Sequence, residues 1–407
     1  MKEIIEIIKA IGGVIKRIPL LLSSAIHKDH DLVIFGAWFG EKYSDNSKSL
    51  FEYALIANGK KCYWVTKSKK LYDYLSENGV PVVLRNSIEG IILQLLAGVA
   101  FSSTGKHDFN PMLLGSCYHV ELWHGVGGGK KIGYDNESFK KSMDNWRCRL
   151  YERIEKYPYR NHYYISTSSE MTQVFKSAFR TDEKHIIMAG QPRNDMFFDS
   201  SYKIKSFESR QFADMKVITY LPTHRLEGKE KIKCSSLFDF SALNDFCISN
   251  NCIFIIKKHF YHKDEVEDVS LYSNIIDWTN KPGIDTNELL MVSDYLISDY
   301  SSVTADYLLL ERPIFYYCYD LEEYLEKDRD MYWPYDKITP GPKCRTFNEL
   351  LDAMKNIIED DKDDYKEERE RVLSMFYGPQ ARKMVSQDIL DAVEKIIGEI
   401  NRKKKRQ

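Results

Sequence analysis

Two adjacent serines, Ser301 and Ser302, stand where an apolar stretch ending at Ile297 gives way to a helical pattern from Val303 to Glu311. A helix that starts at such a pair gathers hydroxyls, unpaired backbone N–H groups and the positive end of a helix dipole at one point, which suits phosphate. Two histidines close other apolar stretches, His124 after residues 118–123 and His259 after residues 253–258. Imidazole exchanges a proton near neutral pH, so each is a candidate acid or base. His124 also opens a run with four glycines between Gly125 and Gly129, where bulk packing gives little reason for a histidine. Arg225, just past residues 217–220, offers a fixed fork of donors and a permanent charge for phosphate oxygens, and Thr223 adds a hydroxyl. Lys130 and Lys131 can steer an acidic acceptor or hold a departing phosphate, and Asp135 can orient a base or a hydroxyl. Asp299 is expected to shape the turn before the serines by accepting backbone N–H bonds. Asp306, two turns along, is read as structural or as a distant ribose contact, and His224 as a packing or stacking ring. The plainer alternatives are a carbonyl-capped core histidine, a solvated lysine pair and, for Arg225, an interdomain salt bridge.

Such residues need elements that end where a ligand can reach them. Residues 32–35, 62–65, 80–84, 99–102, 119–122, 163–166 and 186–189 read as strands, with helical patterns at 50–58, 70–78 and 88–96 between the first four. That alternation is the βαβ rhythm of a parallel sheet. A polar stretch at 199–215 reads as a linker. A second series follows, with strands at 217–220, 252–256, 274–276, 295–297 and 314–317. Residues 359–370 are strongly charged, and 381–400 read as a closing amphipathic helix. The expected fold is therefore α/β with GT-B architecture, two Rossmann-like domains facing a central cleft. The expected boundaries are 1–28 for an amphipathic N-terminal helix, 29–205 for an acceptor-binding domain and 206–376 for a donor-binding domain. Residues 377–400 form the closing helix crossing back to the first domain, and 401–407 a basic tail.

Five strings in this order carry a family resemblance. They are WHGVGGGKKIGYD at 123–135, GQPRND at 190–195, YLPTHR at 220–225, KKHF at 257–260 and SDYSSVTADYLLLERPIFYYCYD at 298–320. Together with GEKYSDNSKSLFEYAL at 40–55 and the PGP at 340–342, they resemble the CDP-glycerol glycerophosphotransferases of teichoic-acid and capsule synthesis, from about Phe35 onward. The resemblance implies GT-B architecture and transfer of glycerol phosphate from CDP-glycerol to a hydroxyl of a lipid-linked (undecaprenyl-diphosphate) saccharide or growing chain, with release of CMP. His124 would be the base. His259, matching the family's second motif histidine, would protonate the leaving CMP or donate to a phosphoryl oxygen, and the matching motif turns Arg225 towards phosphate. The chain departs from the family pattern at Gly127, Gly128 and Gly129, at Phe260 where the family has proline, and at His224 where it often has an aromatic ring. A CDP-ribitol donor, a nucleotide-sugar glycosyltransferase on the same fold, and a non-catalytic membrane scaffold are the other readings.

Bulk properties narrow the field. The 407 residues suffice for two domains, 43% are hydrophobic, and a net charge of −2 argues against a nucleic-acid partner bound through bulk charge. The eight cysteines have no CxxC pair, which points to reduced, buried thiols rather than zinc. The sequence has no DxD-type carboxylate pair at a strand end, no GxxxxGK[ST] loop and no GxGxxG after the first strand, so no metal or cofactor is expected. No segment reaches the ~20 continuous apolar residues that span a bilayer. Ile4, Ile8, Ile11, Ile15 and Ile18 nevertheless recur at helical spacing beside Lys2, Lys9, Lys16 and Arg17, and five basic residues run from Arg402 to Arg406. This arrangement predicts peripheral attachment to the cytoplasmic face of the cell membrane.

Overall fold

The structure is a computed structural model. It describes residues 2–404 except 58, 127, 128, 226–230, 232, 260, 261, 263, 328 and 329, and leaves aside the side chains of 2, 3, 327, 401, 403 and 404. The departures at Gly127, Gly128 and Phe260, and the end of the basic tail, 405–407, lie outside the described residues.

The chain forms two compact units. The first comprises residues 1–124, 133–195 and 379–407, and the second 125–132 and 196–378. This division differs from the expected one in its boundaries. The stretch expected to link the domains, 199–215, lies within the second unit, and the Gly-rich segment after His124 belongs there as well.

The first unit is built on a seven-stranded parallel sheet: β1 (Asp29–Gly36), β2 (Lys61–Thr66), β3 (Val82–Leu84), β4 (Ala97–Ser102), β5 (Tyr118–Glu121), β6 (His162–Ser166) and β7 (Ile186–Met188). The spatial order is β3-β2-β1-β4-β5-β6-β7. Helices cover the sheet, so its central strands are apolar on both faces, as the nearly continuous runs LVIF and AGVAF show. Val33, Phe35, Phe101 and Val120 pack on Leu50 and Phe51, and on Ile389, Val393 and Ile397 of the last helix, Ser386–Lys404. Asp195 of the GQPRND string accepts the N–H groups of Val385 and Ser386 at 2.8 and 3.0 Å, satisfying donors where that helix begins.

The second unit carries six parallel strands: β8 (Lys216–Leu221), β9 (Cys252–Ile256), β10 (Ile275–Asp277), β11 (Tyr295–Ser298), β12 (Ile314–Tyr317) and β13 (Lys343–Cys344). Their order is β10-β9-β8-β11-β12-β13. Both sheets therefore reverse strand order at one point, β1/β4 in the first and β8/β11 in the second. Open α/β sheets bind ligands at such points, outside the carboxyl ends of the strands.

The N-terminal segment is two helices, Lys2–Ile15 and Ile18–Ser23, broken before Pro19. Gly13 lies so close to Tyr151 that an added Cβ would fall 2.0 Å from the phenolic oxygen, so only glycine fits. Arg17 stacks on the Tyr151 ring at 3.8 Å and donates to Glu155 at 2.8 Å. One side of the segment is thus packed on the protein. The other leaves Ile4, Ile8, Ile11 and Ile15 more than half exposed. Among the described residues no helix is long and apolar enough to cross a membrane.

Candidate active-site residues

His124 stands three residues beyond Glu121, the end of β5, in a turn that the sequence distorts. Trp123 has φ +60° and Gly125 φ +135°. The second value is open chiefly to glycine, and an aromatic residue in the left-handed region costs about 1–3 kcal/mol. The Trp123 ring is anchored by Phe179, 5.0 Å away, and lies 4.4 Å from the imidazole. Nδ1 of His124 donates to the Ser103 carbonyl at 3.0 Å. A carbonyl only accepts, so the neutral ring carries its proton on Nδ1 and its lone pair on Nε2. Among the described residues Nε2 has no hydrogen-bond partner, and the side chain is half-buried.

Residues beyond the expected set hold this turn. Ser103 is fixed by its N–H to Asp108 at 3.0 Å and by its hydroxyl to Ser47 at 2.8 Å. Asp108, fully buried, also accepts the N–H groups of Phe39 at 2.7 Å and Thr104 at 2.9 Å. Burial pushes its carboxyl up to about 6, against the pull of these hydrogen bonds. Asn46 donates to the Trp123 carbonyl at 2.9 Å, and Arg193 to that of His124 at 3.2 Å. Asn46 and Arg193 lie in strings already noticed, GEKYSDNSKSL and GQPRND, but they act on backbone carbonyls, for which residue type gives no signal.

In the second unit the loops after β8 and β11 meet. Asp299 accepts the N–H of Thr223 at 2.8 Å, its hydroxyl at 2.7 Å and the N–H of Tyr300 at 2.6 Å. The turn-shaping expected of Asp299 is therefore present. Arg225, expected to hold phosphate oxygens, has carboxylate partners in the structure. Its Nε donates to Asp320 at 2.6 Å, Nη2 to Asp299 at 2.9 Å and to Asp320 at 3.0 Å, and Nη1 to the Thr223 carbonyl at 2.7 Å. Burial lowers its pKa, but the two carboxylates more than reverse that and hold it above the ordinary value. One cation thus faces two anions, and the Thr223 hydroxyl donates to Asp299.

Ser301 and Ser302 remain half-buried at the start of the helix Val303–Leu308. That helix has six residues and ends three short of the expected Glu311, so its dipole is small. Among the described residues Ser302 makes no side-chain capping bond. Asp306 is buried and accepts from Tyr377 at 2.5 Å, a structural contact. His259 follows β9 and its ring lies 4.9 Å from that of His224. Between the ends of β9 and β10 lies a cavity of about 420 Å³ lined by Lys257, Asp264, Thr279, Asn280, Lys281 and Pro282. Burial lowers the pKa of Lys257, and Asp285 opposes the shift. Lys257 was not among the expected residues, although the KKHF string contains it.

Gly129 to Ile132 runs beside residues 330–332, with Lys131 N–H to the Asp330 carbonyl at 2.9 Å. Lys130 lies 5.2 Å from the Tyr324 ring, which stacks on Tyr300 at 3.9 Å. Lys131 pairs with Asp330 at 3.5 Å at the surface. Asp135 accepts from Ser177 at 2.6 Å, in the first unit. Among the described residues no cluster of His, Cys, Asp and Glu could hold a metal.

Two Rossmann-like parallel sheets, with a terminal helix returning to the first unit, define a GT-B-type enzyme fold. The chain belongs to the CDP-glycerol:poly(glycerophosphate) glycerophosphotransferase family, whose profile matches residues 20–395. It is 31% identical over 358 residues to the teichoic acid glycerol-phosphate transferase of Staphylococcus aureus (strain NCTC 8325 / PS 47), covering 83% of this chain and 86% of that protein. It is 26% identical to the teichoic acid ribitol-phosphate primase of Bacillus spizizenii (strain ATCC 23059 / NRRL B-14472 / W23), covering 84% and 87%. Among solved structures, the wall teichoic acid polymerase TagF matches with a TM-score of 0.72 and 23% identity over 98% of both chains, a likeness of fold.

Proposed function

We propose that this glycerophosphotransferase moves glycerol phosphate from CDP-glycerol to a hydroxyl of a lipid-linked saccharide or growing polyol-phosphate chain in teichoic-acid synthesis. The observation that carries the reading is His124, whose Nδ1 is held by a carbonyl while Nε2 keeps its lone pair. Nε2 takes the proton of the acceptor hydroxyl. The acceptor oxygen bonds to the phosphorus bearing glycerol, the bond from that phosphorus to the bridging oxygen breaks, and CMP leaves with that oxygen. Lys257, His259, Ser301 and Ser302 neutralise the donor phosphates, with Lys130 in support and the nucleotide lodged by the cavity beside Lys257. Arg225, Asp299 and Asp320 build the loops that carry the serines. Catalysis of this kind rests on positioning and charge stabilisation.

The exposed isoleucines of the N-terminal helix support peripheral attachment to the cytoplasmic face of the cell membrane, where a lipid-linked acceptor would be met. The test of donor and reaction type is nucleotide release, read by chromatography, with CDP-glycerol, CDP-ribitol and UDP-sugars offered beside a lipid-linked disaccharide. CMP from CDP-glycerol is expected. CMP from CDP-ribitol alone would change the donor, as the relationship to a ribitol-phosphate primase allows. UDP release would replace the phosphotransferase reading with a glycosyltransferase.

A further inference from the structure

We infer that Arg193 is a positioning residue for the reaction, acting with Asn46 to lock every torsion of His124. The inference rests on the reading of His124 as the base. Two peptide planes flank the His124 Cα, and each is held by its carbonyl. Asn46 Nδ2 grips the Trp123 carbonyl at 2.9 Å, and Arg193 Nη1 grips that of His124 at 3.2 Å. These two contacts fix the backbone φ and ψ of His124, and the Nδ1 bond to Ser103 fixes its ring. The two clamps are joined, because the Arg193 N–H donates to Asn46 Oδ1 at 3.1 Å. They are also anchored, because Arg193 pairs with Asp45 at 2.8 Å, with side chains 13% and 6% exposed. The start of the helix Asp45–Ala57 and the 3-10 turn Pro192–Phe197, 77 and 69 residues from the turn, thus converge on one residue.

A backbone with Trp123 at φ +60° relaxes unless its carbonyls are restrained. Relaxation would swing Nε2 away from the acceptor oxygen, and an error of about 1 Å in such a group costs about a hundredfold in rate. Of the groups assigned to the donor phosphates only Lys130, in a supporting role, follows this turn, so the effect falls mainly on kcat.

Arg193→Ala and Asn46→Ala are compared with His124→Ala in the full chain, with lipid-linked acceptor and CDP-glycerol. Three quantities are read: kcat, KM for CDP-glycerol, and the ¹⁵N spectrum of the His124 ring, which reports its tautomer without any turnover. Arg193→Ala is expected to lose about a hundredfold in kcat with KM within about twofold. Its His124 spectrum should change from a single Nδ1–H tautomer to a mixture, and added guanidinium should restore part of both. Asn46→Ala removes only the Trp123 clamp, should show the same pattern, and serves if Arg193→Ala does not fold. Unchanged kcat with an unchanged tautomer overturns the inference, and so does lost kcat with an unchanged tautomer and no rescue. Full turnover by His124→Ala would overturn the base reading instead, while the ring spectrum would still decide whether Arg193 sets the geometry.

Discussion

At the switch point of the first sheet, Asp108 receives the N–H groups of Phe39, Ser103 and Thr104. At that of the second, Asp299 receives those of Thr223 and Tyr300. Each carboxylate ties the loops after two strands that diverge in sequence. The charge balance differs. Among the described residues no cation pairs with Asp108, whereas Asp299 shares Arg225 with Asp320. In the first unit the proposed base, His124, sits one strand away from the tie, and among the described residues its Nε2 has no hydrogen-bond partner. In the second the strongest charge is consumed by the tie itself. A chemically able side chain at a strand end is therefore not yet a ligand-binding group, and its existing partners decide which it is.

Breaking the second tie should have the largest effect on stability. Removing one member of a buried ion triad leaves uncompensated charge, so Arg225→Ala should lower stability by about 3–5 kcal/mol, read from urea unfolding. Wild-type stability with weakened CDP-glycerol binding would return Arg225 to the phosphates.

The first tie should show in pH dependence. The folded-state pKa of Asp108, about 6, lies above its ordinary value of 3.8. Between these values the folded protein holds the proton that the unfolded chain has released, so stability falls as pH rises. The fall amounts to on the order of 3 kcal/mol and flattens above about pH 6. The stability difference between wild type and Asp108→Asn, followed from about pH 4 to pH 7, should trace that slope. A flat difference would show the carboxyl to be ionised throughout.

Lys257→Ala and Ser302→Ala sharpen the comparison from the other side, since neither group belongs to the Asp299 tie. Each should weaken CDP-glycerol binding by about tenfold, near 1.4 kcal/mol, in calorimetry. Unaltered affinity in both would remove the donor site from this end of the sheet. The smallest change is expected at the N-terminal helix. Ile8 is 62% exposed, and Ile8→Ser should cost roughly 1 kcal/mol of apolar contact, a drop of about fivefold in binding to anionic vesicles. Flotation unaffected by the substitution would speak for a helix that only packs on its own domain.

Much of this was legible in the chain. Twelve of the thirteen strands were readable, the central ones as apolar runs because burial on both faces leaves no room for alternation. The thirteenth, Lys343–Cys344, is two residues long, too short for a pattern. The place of His124 at a strand end was readable for the same reason. The partners of Arg225 were not, because Asp299 and Asp320 lie 74 and 95 residues downstream and a motif shows a cation without its counter-ions. Asn46, Ser103 and Arg193 were missed because they act through backbone carbonyls, where any donor or any peptide serves and only the folded arrangement selects one.

The account turns on His124, and its most direct test pairs turnover with donor binding in one variant. His124→Ala should release CMP from CDP-glycerol and acceptor about a thousandfold more slowly than the wild type, while calorimetric affinity for CDP-glycerol stays unchanged. Near-normal turnover in a protein that binds the donor normally would contradict it and require another base.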